Sequence, residues 1–295
     1  MDLLNLPRLD KAAVKKSFNR AAKTYNHAGV LQDEVLSRLL GRLQYVRLEP
    51  ASIIDIGCGT GRGVSGLQKI YSGAKVVGLD MAYTMLQEAK KQFRFFSKKR
   101  MINADMERLP IASDSFELVF SCLALQWAND LNVVFREAIR IGKPGGLFMF
   151  ATFGPSTLIE LRDSWFEVDQ RPHVHQFIDM HDIGDALMKA GFSQPVVDAE
   201  VIKLEYSNFR QLLNDLKNIG ASNADNNRAK GLMTPSRLKK LEAAYREKGF
   251  RDGKFVASYE VIYGHAWINE AQPTVKGVAV GEVGSSPLKK ISQVQ

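Results

Sequence analysis

The stretch Ile53-Ile-Asp-Ile-Gly-Cys-Gly-Thr-Gly-Arg-Gly63 holds the residues best suited to chemistry. Gly57, Gly59 and Gly61 let a backbone turn tightly and pass close to a ligand. A helix that follows at once points its first amides into the crevice beyond the strand end. Such a G-x-G pattern alone says little, but here three acids accompany it. Asp55 stands just before the glycines, Asp80 ends the run Val76-Val-Gly-Leu-Asp80, and Asp105 lies in Asn103-Ala-Asp-Met106. A carboxylate at the position of Asp80 accepts hydrogen bonds from both hydroxyls of a ribose. Asp105 is placed to accept from the amino group of adenine, and Met81 and Met106 offer polarisable cover for the ring faces. Asp55 suits an amino group of the ligand, directly or through water. The plain alternative is that these acids only cap the helices that follow them. A nicotinamide dinucleotide is the nearest rival ligand, and its fingerprint is G-x-G-x-x-G. Here the glycines fall as G-x-G-x-G, and Asp55 with the 103–106 element decides against it.

These residues need a scaffold of strand ends. Short apolar runs at Ser52–Ile56, Lys75–Leu79, Glu117–Ser121 and Leu147–Thr152 alternate with helical spacing near 62–71, 82–92 and 130–141. That alternation predicts βαβ units and a parallel sheet covered on both faces. Before it, helices are expected over 10–25, with Asp10 as N-cap, and near 30–46. After it come a helix over 182–190 stopped by Gly191, further strands at Val196–Leu204 and Val256–Trp267, and between them a polar helical insertion with a Thr234-Pro235 helix start. The expected divisions are a helical cap over 1–50, the ligand-binding α/β core over 51–206, a helical lid over 207–254, a last core strand over 255–268 and a disordered tail over 269–295.

The chain has 295 residues, 45% of them hydrophobic, a formal net charge of +8 and two cysteines. That suffices for one sizeable core. No run approaches the ~18 apolar residues of a membrane helix, and Met1-Asp-Leu-Leu does not read as a secretory signal. A cytoplasmic location is expected, with no membrane partner. Cys58 and Cys122 read as small buried thiols, and no Cys/His group has ligand spacing, so no metal is expected. The basic excess is uneven. Segment 203–254 carries twelve Lys/Arg against six Asp/Glu, and segment 1–50 nine against five. An acidic partner fits this balance, and a merely solvated basic surface is the alternative.

The glycine loop with its acids resembles the class I methyltransferase pattern. That resemblance implies S-adenosylmethionine as cofactor and a doubly wound, seven-stranded, mostly parallel sheet with N-terminal helices and a helical lid insertion. Longer stretches resemble a narrower family, the malonyl-acyl-carrier-protein O-methyltransferases of biotin synthesis. They are Ser17-Phe-Asn-Arg-Ala-Ala-Lys-Thr-Tyr25, Phe153-Gly-Pro-Ser-Thr-Leu-Ile-Glu-Leu-Arg162-Asp-Ser-Trp165, His173-Val-His-Gln-Phe177-Ile-Asp-Met-His181, Asp215-Leu-Lys-Asn-Ile-Gly-Ala-Ser-Asn223 and Tyr259-Glu-Val-Ile-Tyr-Gly-His265-Ala-Trp267. The resemblance implies methylation of the free carboxylate of a malonyl group on acyl carrier protein, or on coenzyme A, and an acidic protein partner. It further nominates Tyr25, ending the first helix, to close over the sulfonium, and Trp127 to wall the methyl site.

Arg162 is the candidate for holding the malonyl carboxylate, because a guanidinium matches it bidentately. His173, His175 and His181 read as substrate-pocket or structural residues, with His173 and His181 assigned to the pocket and Phe177 to the acyl channel; the histidine spacings fit no common metal motif. Arg210, Lys217, Arg228, Lys230, Arg237, Lys239 and Lys240 are expected to form the carrier-protein docking face. The chain is expected to be monomeric and not to bind nucleic acid. Two rival readings share the cofactor: an arginine hydroxylase that assembles a respiratory complex, which this chain also resembles at its amino-terminal motif, and a small-acid carboxyl methyltransferase. A non-catalytic cofactor-binding module is the remaining alternative.

Overall fold

The computed structural model describes residues 7–92, 100–169, 171–221, 223–225 and 234–269. The four short apolar runs form the parallel strands β1 (Ser52–Ile56), β2 (Lys75–Asp80), β4 (Phe116–Cys122) and β5 (Gly142–Phe153), and the polar-ended β3 (Arg100–Asn103) adds beside β2. Two long strands, β6 (Phe192–Tyr206) and β8 (Lys254–Ile268), join antiparallel, giving the order β3-β2-β1-β4-β5-β8-β6. The sheet has eight strands where seven were expected. Seven lie on this path, and the eighth, β7 (Phe250–Arg251), pairs only with β8 across the left-handed pair Asp252 and Gly253. β5 starts at Gly142, before the Pro-Gly-Gly that reads as a turn.

Side chains of β1 alternate between the two faces, as the pleat requires. Ile53 packs with Leu39 and Val64, on the side of α3 (Val30–Arg42) and α4 (Arg62–Ile70). Ile54 packs with Phe135 and Ile183, on the side of α6 (Leu131–Ile141) and α8 (Met180–Ala190). β1 lies between β2 and β4, where the winding direction reverses, and a crevice opens at such a point beyond the carboxyl ends of the strands.

The helix expected over 10–25 is two helices. α1 (Lys11–Ala21) begins at Asp10, whose side chain accepts from Ala13 N, and α2 (Tyr25–Ala28) follows after a break. The Thr24 hydroxyl donates to the Ala21 carbonyl, a local bond that competes with helix continuation, and to the distant Asn218 carbonyl. Tyr25 therefore opens α2 rather than ending α1. The remaining helices are α5 (Tyr83–Lys91), α7 (Ile159–Val168), α9 (Phe209–Asn218) and α10 (Pro235–Gly249), the last capped by Thr234. The tail from 270 onward, and Arg228 and Lys230, lie outside the described residues. Among the described residues no helix is long and apolar enough to cross a membrane.

Gly264 lets β8 approach the core side of β5: a Cβ there would overlap the ring of Phe150. Gly264→Ala is expected to cost about 1–3 kcal/mol through overpacking, read as a lowered midpoint in thermal denaturation.

Candidate active site

The glycine loop is folded back on the end of β2. Gly57 N and Cys58 N both donate to the Leu79 carbonyl, at 2.7 and 2.9 Å. Gly57 has φ +74, and a Cβ on it would overlap the methyl of Ala124, so only glycine fits there. Gly59 (φ +52) has open space where a side chain would project, and Gly61 (φ +83) turns the chain into α4. Asp80 fastens this loop: Oδ2 accepts from Gly59 N at 2.9 Å and Oδ1 from Ala82 N at 2.7 Å. Burial nevertheless holds the Asp80 carboxyl above its ordinary range, outweighing those two bonds.

Asp55 is 2% exposed and packs against the first turn of α4, where a Cβ on Gly63 would overlap its Oδ2. The Val64 N–H donates to it, yet burial, and then the charge of Asp80, push its pKa up to about 7. No lysine or arginine pairs with it among the described residues. Burial likewise raises the Cys58 and Cys122 thiols, which stay protonated.

Three cavities meet beside this loop. One, of about 550 Å³, is lined by Gly57, Gly59, Asp80, Met81 and Met106, with Val14 and Phe18 of α1 above them. A second, of about 450 Å³, is lined by Asp55, Gly59, Thr60, Gly63 and Gln32. The third, of about 800 Å³, is a mostly apolar chamber bounded by Trp127, Phe153, Leu161, His173, His175 and Phe177. Tyr25 and Leu123 border all three, so they mark the junction. Burial, followed by the nearby Cys122 and Asp80, raises the Tyr25 phenol far above its usual range. Its hydroxyl is a neutral donor at any working pH.

The structure thus gathers Asp55, Gly57, Gly59, Asp80, Met81, Met106, Tyr25 and Trp127, with Gly61 shaping the turn, and places His173 and Phe177 on the chamber wall. Asp105 sits between two lining residues, Ala104 and Met106, with its Oδ1 held by Lys11 Nζ at 3.1 Å. Arg162 is not brought in. It lines none of these cavities, and its Nη1 donates to the Pro155 carbonyl at 2.8 Å. On α7, Leu161 and Trp165 take the buried face, and Arg162 is one residue round the helix from it. His181 is not in the pocket either; its side chain is 80% exposed and its Nδ1 pairs with Asp179, the N-cap of α8. Arg237 leaves the expected docking face, because it pairs with Asp169 and lies over the Trp165 ring at 5.1 Å. The His173 ring stacks on the other partner of that cluster, Trp165, at 3.7 Å.

Sequence reading missed three contributors and placed a fourth, His175, only within the histidine group. Lys11 binds Asp105 and Glu107, tying α1 to the adenine end. Arg62 pairs with Asp33 and donates to the Asn26 carbonyl, while Thr60 Oγ1 donates to Asn26 Oδ1, latching α2 and α3 onto the loop. His175 meets Trp127 edge to face at 5.2 Å. Gln32, between the second cavity and the chamber, has a buried Oε1 with no hydrogen-bond partner among the described residues. Only His175 left a trace in the sequence, as the middle member of the histidine run.

The two smaller cavities fit S-adenosylmethionine. The space at Gly59 admits close approach, Asp80 with Met81 and Met106 suits an adenosine, and two acceptors without cations, Asp55 and Gln32 Oε1, suit an α-ammonium.

Residues 54–150 match the family model described as "Methyltransferase domain". The chain is 48% identical, over 88% of its own length and 88% of the relative's, to a malonyl-[acyl-carrier protein] O-methyltransferase of Halorhodospira halophila. It is 45% identical, over 92% of its length and 96% of the relative's, to the protein of the same name from Gallionella capsiferriformans. Among solved structures it resembles a putative methyltransferase from Bacillus halodurans, with a TM-score of 0.58 and 17% identity over 80% of this chain and 99% of that one, a likeness of fold alone.

The sign of the pH effect follows from Asp55. With its carboxyl raised to about 7 from an ordinary 3.8, it favours the ligand-free fold at low pH, and that contribution is lost as pH rises through 7. A cation needs the ionised form, so cofactor affinity is expected to rise as pH passes 7. Asp55→Asn is expected to melt higher than wild type at pH 8, the gap closing near pH 4. The same change lowers cofactor affinity at pH 8 about tenfold or more, or about 1.4 kcal/mol, and flattens its pH profile. Calorimetric titration and thermal melts across that range check both.

Proposed function

The chain belongs to the family of malonyl-[acyl-carrier protein] O-methyltransferases, and we infer that it methylates the free carboxylate of a malonyl group carried on acyl carrier protein. The product is the malonyl methyl ester that primes pimeloyl synthesis for biotin. The observation that carries the reading is the junction at Tyr25, where the two cofactor-sized cavities open on one apolar chamber.

When bound, S-adenosylmethionine supplies a methyl group on a positively charged sulfur. The chain's own residues must bring a carboxylate in line with it and strip its water. A malonyl carboxyl is ionised at pH 7, so no general base is required. Among the described residues lining the chamber there is no lysine or arginine. The neutral Tyr25 hydroxyl at the junction holds the carboxylate instead, with His175 and Gln126 as polar groups further along the wall. Such a donor orients the anion without the tight pairing a guanidinium would impose, which would lower its nucleophilicity. Trp127, braced by Phe18 and His175 at 5.2 Å each, walls the transfer point, and Phe177 against Phe153 at 5.7 Å lines the path of the acyl group.

Tyr25→Phe is expected to lower kcat on malonyl-carrier protein about 10- to 100-fold, a loss of one oriented hydrogen bond in the transition state, while cofactor affinity changes little. Steady-state kinetics beside calorimetry check it. The activity itself is tested by incubating the protein with methyl-labelled S-adenosylmethionine and malonyl-carrier protein. Base-labile label on the acyl group is the expected result. Cofactor binding with no acyl label would overturn the reading in favour of the hydroxylase or a binding module.

A further inference from the structure

We propose that the carrier protein docks on the outer face of α1, continued by Lys217 at the end of α9, rather than on α10. This rests on the carboxylate-methylation reading above. α1 is two-faced. Val14, Phe18 and Ala21 point inward, and the first two line the cofactor cavity. Lys15, Lys16, Arg20 and Lys23 are exposed on or just beyond the helix, and none forms an ion pair among the described residues. Basic residues beside this site are neutralised: Lys11 by Asp105 and Glu107, Arg62 by Asp33, Arg237 by Asp169. The stripe on α1 thus leaves uncompensated positive charge over the reacting centre.

α9 continues the same wall. Gly220, in the left-handed region, lies against Phe18 and Ala21 of α1, and the Thr24 hydroxyl reaches the Asn218 carbonyl at 3.1 Å. Leu216 and Ile219 line the chamber, while Lys217 between them is exposed. The basic outer surface and the chamber lining are two sides of one layer. α10 lacks that relation. Lys239 and Lys240 are exposed, but α10 packs on α7 and β8 and contributes no residue to the chamber wall. An acidic protein steered to α1 and α9 arrives with its thioester arm over the chamber.

The test compares malonyl-carrier protein with malonyl-pantetheine, which keeps the arm and lacks the protein. The enzyme carries Lys16→Glu/Arg20→Glu/Lys23→Glu, or Lys239→Glu/Lys240→Glu as the competing surface. The milder Lys16→Gln/Lys23→Gln guards against misfolding of the triple variant. The triple variant is expected to raise KM for malonyl-carrier protein about tenfold or more at low salt, the milder one less. Both should leave malonyl-pantetheine turnover and cofactor affinity within about twofold, and the α10 pair should change little. An unchanged KM in the α1 variants, or an equal rise from the α10 pair, overturns the proposal. If wild-type enzyme methylates neither thioester, the reaction itself has been misread and the docking proposal falls with it.

Discussion

Asp55 is a buried carboxyl folded into a place where, among the described residues, no lysine or arginine pairs with it. The strand that carries it, β1, lies inside the sheet between β2 and β4, and Gly63 exists as glycine because the carboxylate fills the space of its side chain. The first turn of α4 gives it one N–H, but burial prevails and the group titrates near neutrality. Removing water while withholding a counter-ion makes the site a sensor for positive charge. At an effective dielectric near 20, a cation ~4 Å away gains roughly 4 kcal/mol, against roughly 1 in water. The loop glycines, the Asp80 tether and the α2–α3 latch all serve to keep that acid dry.

The cofactor half of the site was legible because its parts are consecutive. Glycines that must take positive φ and acids at strand ends are constraints of the backbone, and the backbone is what local sequence encodes. The parallel strands were legible for the same reason, as apolar runs buried on both faces. The antiparallel edge was less so. β6 is buried only at its ends, runs through half-buried and exposed residues between them, and begins four residues before the expected start. The substrate half comes from separated segments, and there the direction of a side chain decides its role. Arg162, His181 and Arg237 have suitable chemistry but take the wrong face of their helices, or a partner that only tertiary packing supplies. Conversely, Lys11 and Gln32 look like ordinary helix-surface residues until α1 and α3 are laid over the loop.

Among the described residues no guanidinium lines the chamber, and that bears on the reaction. Methyl transfer from a sulfonium to a carboxylate destroys two opposite charges, so its transition state is less polar than the separated ions. Water, which solvates the ions best, opposes that step; an apolar chamber that holds the carboxylate through a neutral donor favours it. A buried arginine would stabilise the anion most strongly before transfer and lose that interaction during it, raising the barrier. That no lysine or arginine stands among the described residues lining the chamber agrees with what the chemistry favours. It also explains why the positive charge of this protein is kept outside. On the outer face of α1 it can attract a carrier without reaching the reacting oxygen, because the same helix lines the cofactor cavity with the apolar Val14 and Phe18. One short amphipathic helix thereby separates two electrostatic tasks that would conflict if they shared a surface.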